Sequence, residues 1–236
     1  MSMTTIPPRS PSSAPPTQPP IPHSFPGEQR IAIRGVSWDL YDRLSDAIDP
    51  RQHIYLAYDG EDLEIMTKGR WHEHYKELFG RFVSRVTAAL TIRRATLGET
   101  SWKRPEIARG LEADQCYYFT PEKIETDAQA RARKSEDIAD YPNPDLAIEV
   151  DLSPSQIDRP SIYATLQVPE IWRFDGANVV IEQLGPDGSY SPVDSSHFLP
   201  VTAKDVLRWI VHEDSSDELE FERRVTEWAK ELRRAE

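Results

Sequence analysis

A chain of 236 residues with 40 acidic against 28 basic side chains has a formal net charge of -12, which suits one domain of ordinary size and counts against a broadly basic nucleic-acid binder. Its single cysteine, Cys116, excludes an internal disulfide framework, and no apolar run is long enough to span a bilayer. With no apolar signal core at the N-terminus, the expectation is a soluble cytoplasmic protein whose 38% hydrophobic residues form a modest core.

Residues 1–28 hold nine of the twenty prolines, interleaved with Ser, Thr and Gln. Such a stretch cannot bury apolar area, so a disordered, partly polyproline-II tail is expected. Residues 29–212 follow as the folded domain and 213–236 as a charged C-terminal helix. Arg30 to Gly35 alternates as a short strand. Ser37 can cap a helix through Ile48, with Trp38, Tyr41, Leu44 and Ile48 on one face. His53 to Met66 has the pattern of a hairpin turning at Asp59-Gly60. Trp71 to Thr91 predicts the longest helix, because Tyr75, Leu78, Phe79, Phe82, Val83, Val86 and Leu90 recur at helical spacing. His72, Glu73, His74 and Glu77 crowd its start, where acidic residues complement the macrodipole.

Arg93 to Lys103 and Ala113 to Phe119 each predict a strand, with Asp114 at the start of the second. Thr120 to Tyr141 is polar and reads as a surface helix or loop. Leu146 to Val150 is an apolar run broken only by Glu149, the pattern of a strand buried on both faces. Ser155 is the candidate cap of a helix bearing Ile157, Ile162, Tyr163 and Leu166. Pro169 stops that helix, and Glu170 to Phe174 alternates as another strand. Asn178 to Leu184 and Ser189 to Val193 form a hairpin around Pro186-Asp187-Gly188. Thr202 can cap a short helix, and Ser216 to Glu236 predicts a charged helix with Leu219, Val225, Trp228 and Leu232 on one side.

A carboxylate inside an apolar strand is costly unless it is paired, hydrogen-bonded or metal-bound, so Glu149 is the residue that most needs explaining. There is no nucleophile elbow, phosphate-binding glycine loop or zinc-protease helix, and Cys116 reads as a buried structural thiol. A scattered set of carboxylates remains: Asp114, Asp145, Glu149 and Asp151, with Arg159 the first cation downstream. Carboxylates on neighbouring strands can hold one magnesium or manganese ion. No aromatic-basic platform that would select single strands stands out.

The segments DGEDLEIMTKGRWHEHYKEL, GLEADQCYY, NPDLAIEVDLSPSQIDR and IYATLQVPEIWRFDG resemble, in order, the Uma-two family of restriction endonucleases in the PD-(D/E)xK nuclease superfamily. The resemblance runs from about Ile31 to about Trp209. It implies an α/β (α+β) fold, a mixed central sheet flanked by helices and entered through an N-terminal β-hairpin. It also implies a Mg2+- or Mn2+-dependent endonuclease that hydrolyses phosphodiester bonds of double-stranded DNA, with a homodimer as one possible assembly and no membrane partner. Carried over residue by residue, Asp114 and Glu149 are acidic metal ligands and Asp145 falls at the family's Pro-Asp pair, as a ligand or support. Arg159 takes the place of the cation on the following helix, and His72 stands at the recurrent histidine as a proton carrier. Where most of the superfamily has lysine, two residues after the second acid, this chain has Asp151. That departure leaves a second reading open, a catalytically inactive relative serving as a binding or assembly module.

Overall fold

The computed structural model describes residues 27–48 and 52–232, so the expected tail lies outside the described residues except for its last two positions. The chain opens with β1 (Gln29–Ile33), α1 (Trp38–Ala47), β2 (Ile54–Tyr58) and β3 (Leu63–Thr67). The Ser37 hydroxyl accepts the Leu40 amide at 3.3 Å, so the predicted cap starts α1. β2 and β3 form the expected antiparallel hairpin, and β1 pairs with the outer side of β3. Tyr41, Leu56, Tyr58 and Leu63 make a small core of their own beneath α1.

Next come α2 (Arg70–Leu90), β4 (Ala95–Arg104), β5 (Arg109–Tyr118), α3 (Pro121–Ala132) and β6 (Leu146–Val150). They are followed by α4 (Arg159–Thr165), β7 (Glu170–Phe174), β8 (Val179–Leu184) and β9 (Tyr190–Val193). The chain continues with α5 (Ala203–Leu207), a π-helical turn over Arg208–His212, and α6 (Glu218–Leu232).

The nine strands form one sheet in the order β1-β3-β2-β5-β6-β7-β8-β9, with β4 on the opposite edge of β5. Only β6 and β7 are parallel, joined by the crossover through α4. The sheet is therefore the mixed α/β arrangement that the resemblance implied. One face carries α2, α5 and α6 over Phe79, Phe82, Ile148, Trp172, Phe221 and Val225. The other carries α4 over Ala147, Cys116, Ile162, Tyr163 and Leu166. Burial pushes the Cys116 thiol up to about 12, as befits an inert structural side chain. Among the described residues, no helix is long and apolar enough to cross a membrane.

Two boundaries differ from the sequence pattern. Helix α4 starts at Arg159 with Asp158 as its cap, its Oδ1 accepting the Ser161 amide at 3.1 Å. Pro160 belongs in a first turn, having no amide to lose there. Ser155, the expected cap, instead donates to Glu64 Oε2 at 3.0 Å. β5 begins at Arg109, so Asp114 lies in mid-strand and not at a strand start. Pairing with β4 from Arg104↔Arg109 onward carries the strand through Gly110, which local propensity alone would treat as a break.

Gly110 is needed for space. A Cβ there would stand 2.1 Å from the Tyr41 hydroxyl, and Tyr41 is held by stacking on Tyr58 at a centroid distance of 5.0 Å. Gly110→Ala is expected to cost roughly 1–3 kcal/mol through overpacking. Urea unfolding checks this, and a stability equal to that of the parent chain would show that the Tyr41 ring can move aside.

Candidate functional site

β5 does not keep one partner along its second edge. β2 pairs there with Gly110 and Leu111, whereas β6 pairs with Gln115, Cys116 and Tyr117. Glu112, Ala113 and Asp114 face the gap between them, so the sheet forks at this point. Buried backbone groups left open by a fork must find other partners. Arg159 Nη2 donates to the Glu112 carbonyl at 3.2 Å, and the Leu56 amide donates to Glu112 Oε1 at 3.3 Å. On the β6 side, the Val150 amide donates to Asp114 Oδ2 at 2.8 Å. One step beyond the pair Gln115↔Ile148, the same register sets Asp114 opposite Glu149.

Both carboxylates are buried, and each is compensated by its own cations. At Asp114, Lys68 Nζ lies 2.8 Å from Oδ1 and His72 Nε2 lies 3.1 Å from Oδ2. Burial alone would raise the Asp114 pKa, but Lys68 and then His72 hold it well below the usual carboxylate range. His72 responds in kind: burial works to lower its pKa, yet Asp114 prevails and raises it to about 9. The Lys68 ammonium, similarly desolvated, is kept charged by Asp114 and Glu99, and it lies 3.5 Å over the Tyr55 ring centroid.

Across the fork, Arg159 Nη2 sits 2.8 and 2.7 Å from the two oxygens of Glu149, and the Tyr163 hydroxyl donates to Oε1. Burial pushes the Glu149 carboxyl up to about 7; Arg159 opposes that rise, while Asp114 and Asp151 add to it. The charges continue outward in alternation. Arg159 Nη1 is 3.8 Å from Glu64, Arg30 Nη1 is 3.0 Å from Glu64, and Arg30 Nη2 is 2.7 Å from Asp151. Asp151, at the position where a strand lysine is usual, is thus occupied by Arg30.

The structure brings together Asp114, Glu149, Arg159 and His72. It places Asp145 elsewhere, at the other end of β6, roughly 13 Å along the strand from Glu149 at about 3.3 Å per residue. Its Oδ2 accepts the Phe119 and Thr120 amides, each at 2.7 Å, and its Oδ1 meets Lys123 Nζ at 2.7 Å. Asp145 fastens the turn from β5 into α3. Lys68, Tyr163, Glu64 and Arg30 were not singled out in the sequence. For Lys68 a signal existed: it lies four residues before His72 in the quoted hairpin-to-helix segment, directly after the last residue of β3. Tyr163 was legible only as an apolar position of α4, and its hydroxyl partner belongs to another element.

The donor chemistry suits a hard divalent cation. Asp114 Oδ1 is buried and meets the Lys68 ammonium at 2.8 Å, and a carboxylate oxygen is the donor such a cation takes. Among the described residues, no three His, Cys, Asp or Glu side chains gather as a ready-made cage, so an ion would share the fork with Lys68.

Removing one partner of a buried ion pair strands the other charge, which typically costs about 3–5 kcal/mol. Glu149→Ala is therefore expected to destabilise the fold by roughly that amount, because buried Arg159 then keeps only the more distant carboxylate of Glu64. The double variant Glu149→Ala, Arg159→Met should recover most of the loss. Chemical denaturation of the three proteins checks this; a harmless single variant would show that the pair is not a buried constraint.

The family model described as "Putative restriction endonuclease" matches residues 38–211, a span that includes Lys68, His72, Asp114, Glu149 and Arg159. No curated protein matches the chain. With well over half of the 236 residues inside that match, the chain belongs to the Uma2 family of restriction-endonuclease-like proteins.

Proposed function

We propose that this protein is a nuclease that hydrolyses phosphodiester bonds of DNA with the help of Mg2+ or Mn2+ held by Asp114 and Glu149. The observation that carries the reading is the sheet fork, where two buried carboxylates of adjacent strands face each other beside three cations. When bound there, the ion supplies Lewis acidity that polarises a phosphoryl oxygen and makes the attacking water more acidic.

The chain's own groups divide the remaining work. Arg159 cannot lose a proton and already spans both oxygens of Glu149. It acts as a positioning residue that keeps the Glu149 carboxylate turned into the fork. His72 holds a proton at Nε2 against Asp114 Oδ2 and so fixes that carboxylate from the opposite side. Lys68 brings in an ammonium from the β3–α2 junction, close to where charge develops on a phosphoryl group. It fills the role left open by Asp151. Asp145 supports the site through the β5–α3 turn. A homodimer would present two such centres to one nucleic acid.

One observation favours the second reading, a catalytically silent binding module: every site carboxylate is already neutralised by a protein cation. The two readings separate in one experiment. The nuclease reading expects purified protein to nick or linearise supercoiled DNA with Mn2+ or Mg2+, and Asp114→Asn to lower kcat/KM by at least about 100-fold, near 2.7 kcal/mol of transition-state stabilisation. Absence of cleavage, with no shift of the melting midpoint on adding Mn2+, would sink it and leave the silent module.

A further inference from the structure

The start of α2 carries more than His72. Trp71 is 47% exposed, an unusual position for the largest apolar side chain. It does not stand alone. Its ring lies 5.7 Å from the His74 ring, edge to face, and 6.3 Å from the Tyr75 ring. His74 and Tyr75 are themselves 5.4 Å apart, and Tyr75 packs on Phe174 at 4.8 Å. Residues 71, 74 and 75 share one helical face, since positions three and four apart are neighbours. The result is an aromatic row that runs from solvent at Trp71 to Phe174.

Where that row ends is informative. Phe174 closes β7 and pairs in register with Val150, whose amide holds Asp114 and whose predecessor is Glu149. Where it begins is informative too. Trp71 is flanked by the exposed Arg70, which makes no ion pair among the described residues, and by His72, which touches Asp114. The open aromatic surface therefore begins one residue from a side chain that contacts the fork, with the Arg70 guanidinium beside it to meet a phosphate.

The charge of the chain gives this surface a purpose. At a net charge of -12, long-range attraction to phosphate is poor. Base stacking does not depend on net charge, and every base offers a π face. We propose that Trp71, backed by His74 and Tyr75, is a stacking platform for an unpaired nucleobase next to the cleaved phosphodiester. The favoured substrate is then a single strand, or a duplex with an unpaired nucleotide, in place of an uninterrupted duplex. This inference rests on the nuclease reading and deepens it.

The test is equilibrium binding without cleavage, in EDTA, by fluorescence anisotropy. The probes are a labelled oligothymidylate and a blunt duplex, and the proteins are the parent chain, Trp71→Ala and Trp71→Phe. Trp71→Ala is expected to weaken single-strand binding about tenfold while changing duplex binding less than about twofold, and Trp71→Phe to keep most of the affinity. The surface site should leave the melting midpoint unchanged. Unchanged single-strand binding by Trp71→Ala, or an equal loss on both probes, overturns the platform while leaving the nuclease reading intact. A Trp71→Ala protein that sediments as a smaller species than the parent overturns it as well, and identifies Trp71 as a contact between copies. Failure of the parent chain to bind the single strand removes the platform, whereas the nuclease reading falls only if the protein also fails to cleave DNA with Mn2+ or Mg2+.

Discussion

The fork in the sheet is the constraint on which the rest of the structure depends. β5 can have only one neighbour at a time along its second edge, and it changes from β2 to β6 between Leu111 and Gln115. That change leaves a short stretch of strand without a backbone partner on this edge, in the middle of a buried sheet. Unpaired peptide groups there would be expensive, so side chains must reach in to satisfy them. Asp114 takes the Val150 amide, Arg159 takes the Glu112 carbonyl and Glu112 takes the Leu56 amide. Polar groups therefore enter the core for a structural reason before any chemistry is considered.

Once charges are inside, their arrangement follows from the same economy of desolvation. A lone buried carboxylate would take up a proton, and an array of paired opposite charges prevents this for Asp114. The array extends from Lys68 and His72 through Asp114 and Glu149 to Arg159, Glu64, Arg30 and Asp151. It ties β1, β3, α2, β5, β6 and α4 to one point. Glu149, with burial and two neighbouring carboxylates against it, is the carboxylate of the array left with a raised pKa. A site of this kind is held rigidly, because moving any one charge uncovers another.

α2 delivers the remaining groups. Its close approach to β5 at Gly80, where an added Cβ would stand 3.1 Å from Gln115 Nε2, sets the height of the helix over the sheet. Two turns earlier that height places His72 against Asp114 and leaves Trp71, one residue before it, facing solvent. Adjacent helical positions point about 100° apart, so one turn can serve the buried carboxylate and the open surface at once. α6 packs Phe221, Val225 and Ala229 into the same core from the far side and holds α2 in place.

Much of this was legible without coordinates. The period of the apolar residues marks α1, α2 and the hairpins, and Glu149 inside LAIEV announces a buried charge because burying a carboxylate is costly anywhere. The ordered segments that resemble a known family add the pairing of Asp114 with Glu149 and the place of Arg159. What the sequence could not contain is which partner each charge has. Lys68 and Asp114 are 46 positions apart, and Asp151 and Arg30 are 121 apart, so no local pattern links them. Asp145 lies in the same strand as Glu149, yet strand rise carries it to the other end. The aromatic row is equally hidden, since WHEHY shows its surface only when the helix sorts residues by face. The sequence by itself determined which segments become helix or strand and that a carboxylate must be buried, because those depend on local period and on solvation. Only the tertiary structure decided which cation neutralises which acid and which aromatic rings remain open, because both depend on where the sheet forks.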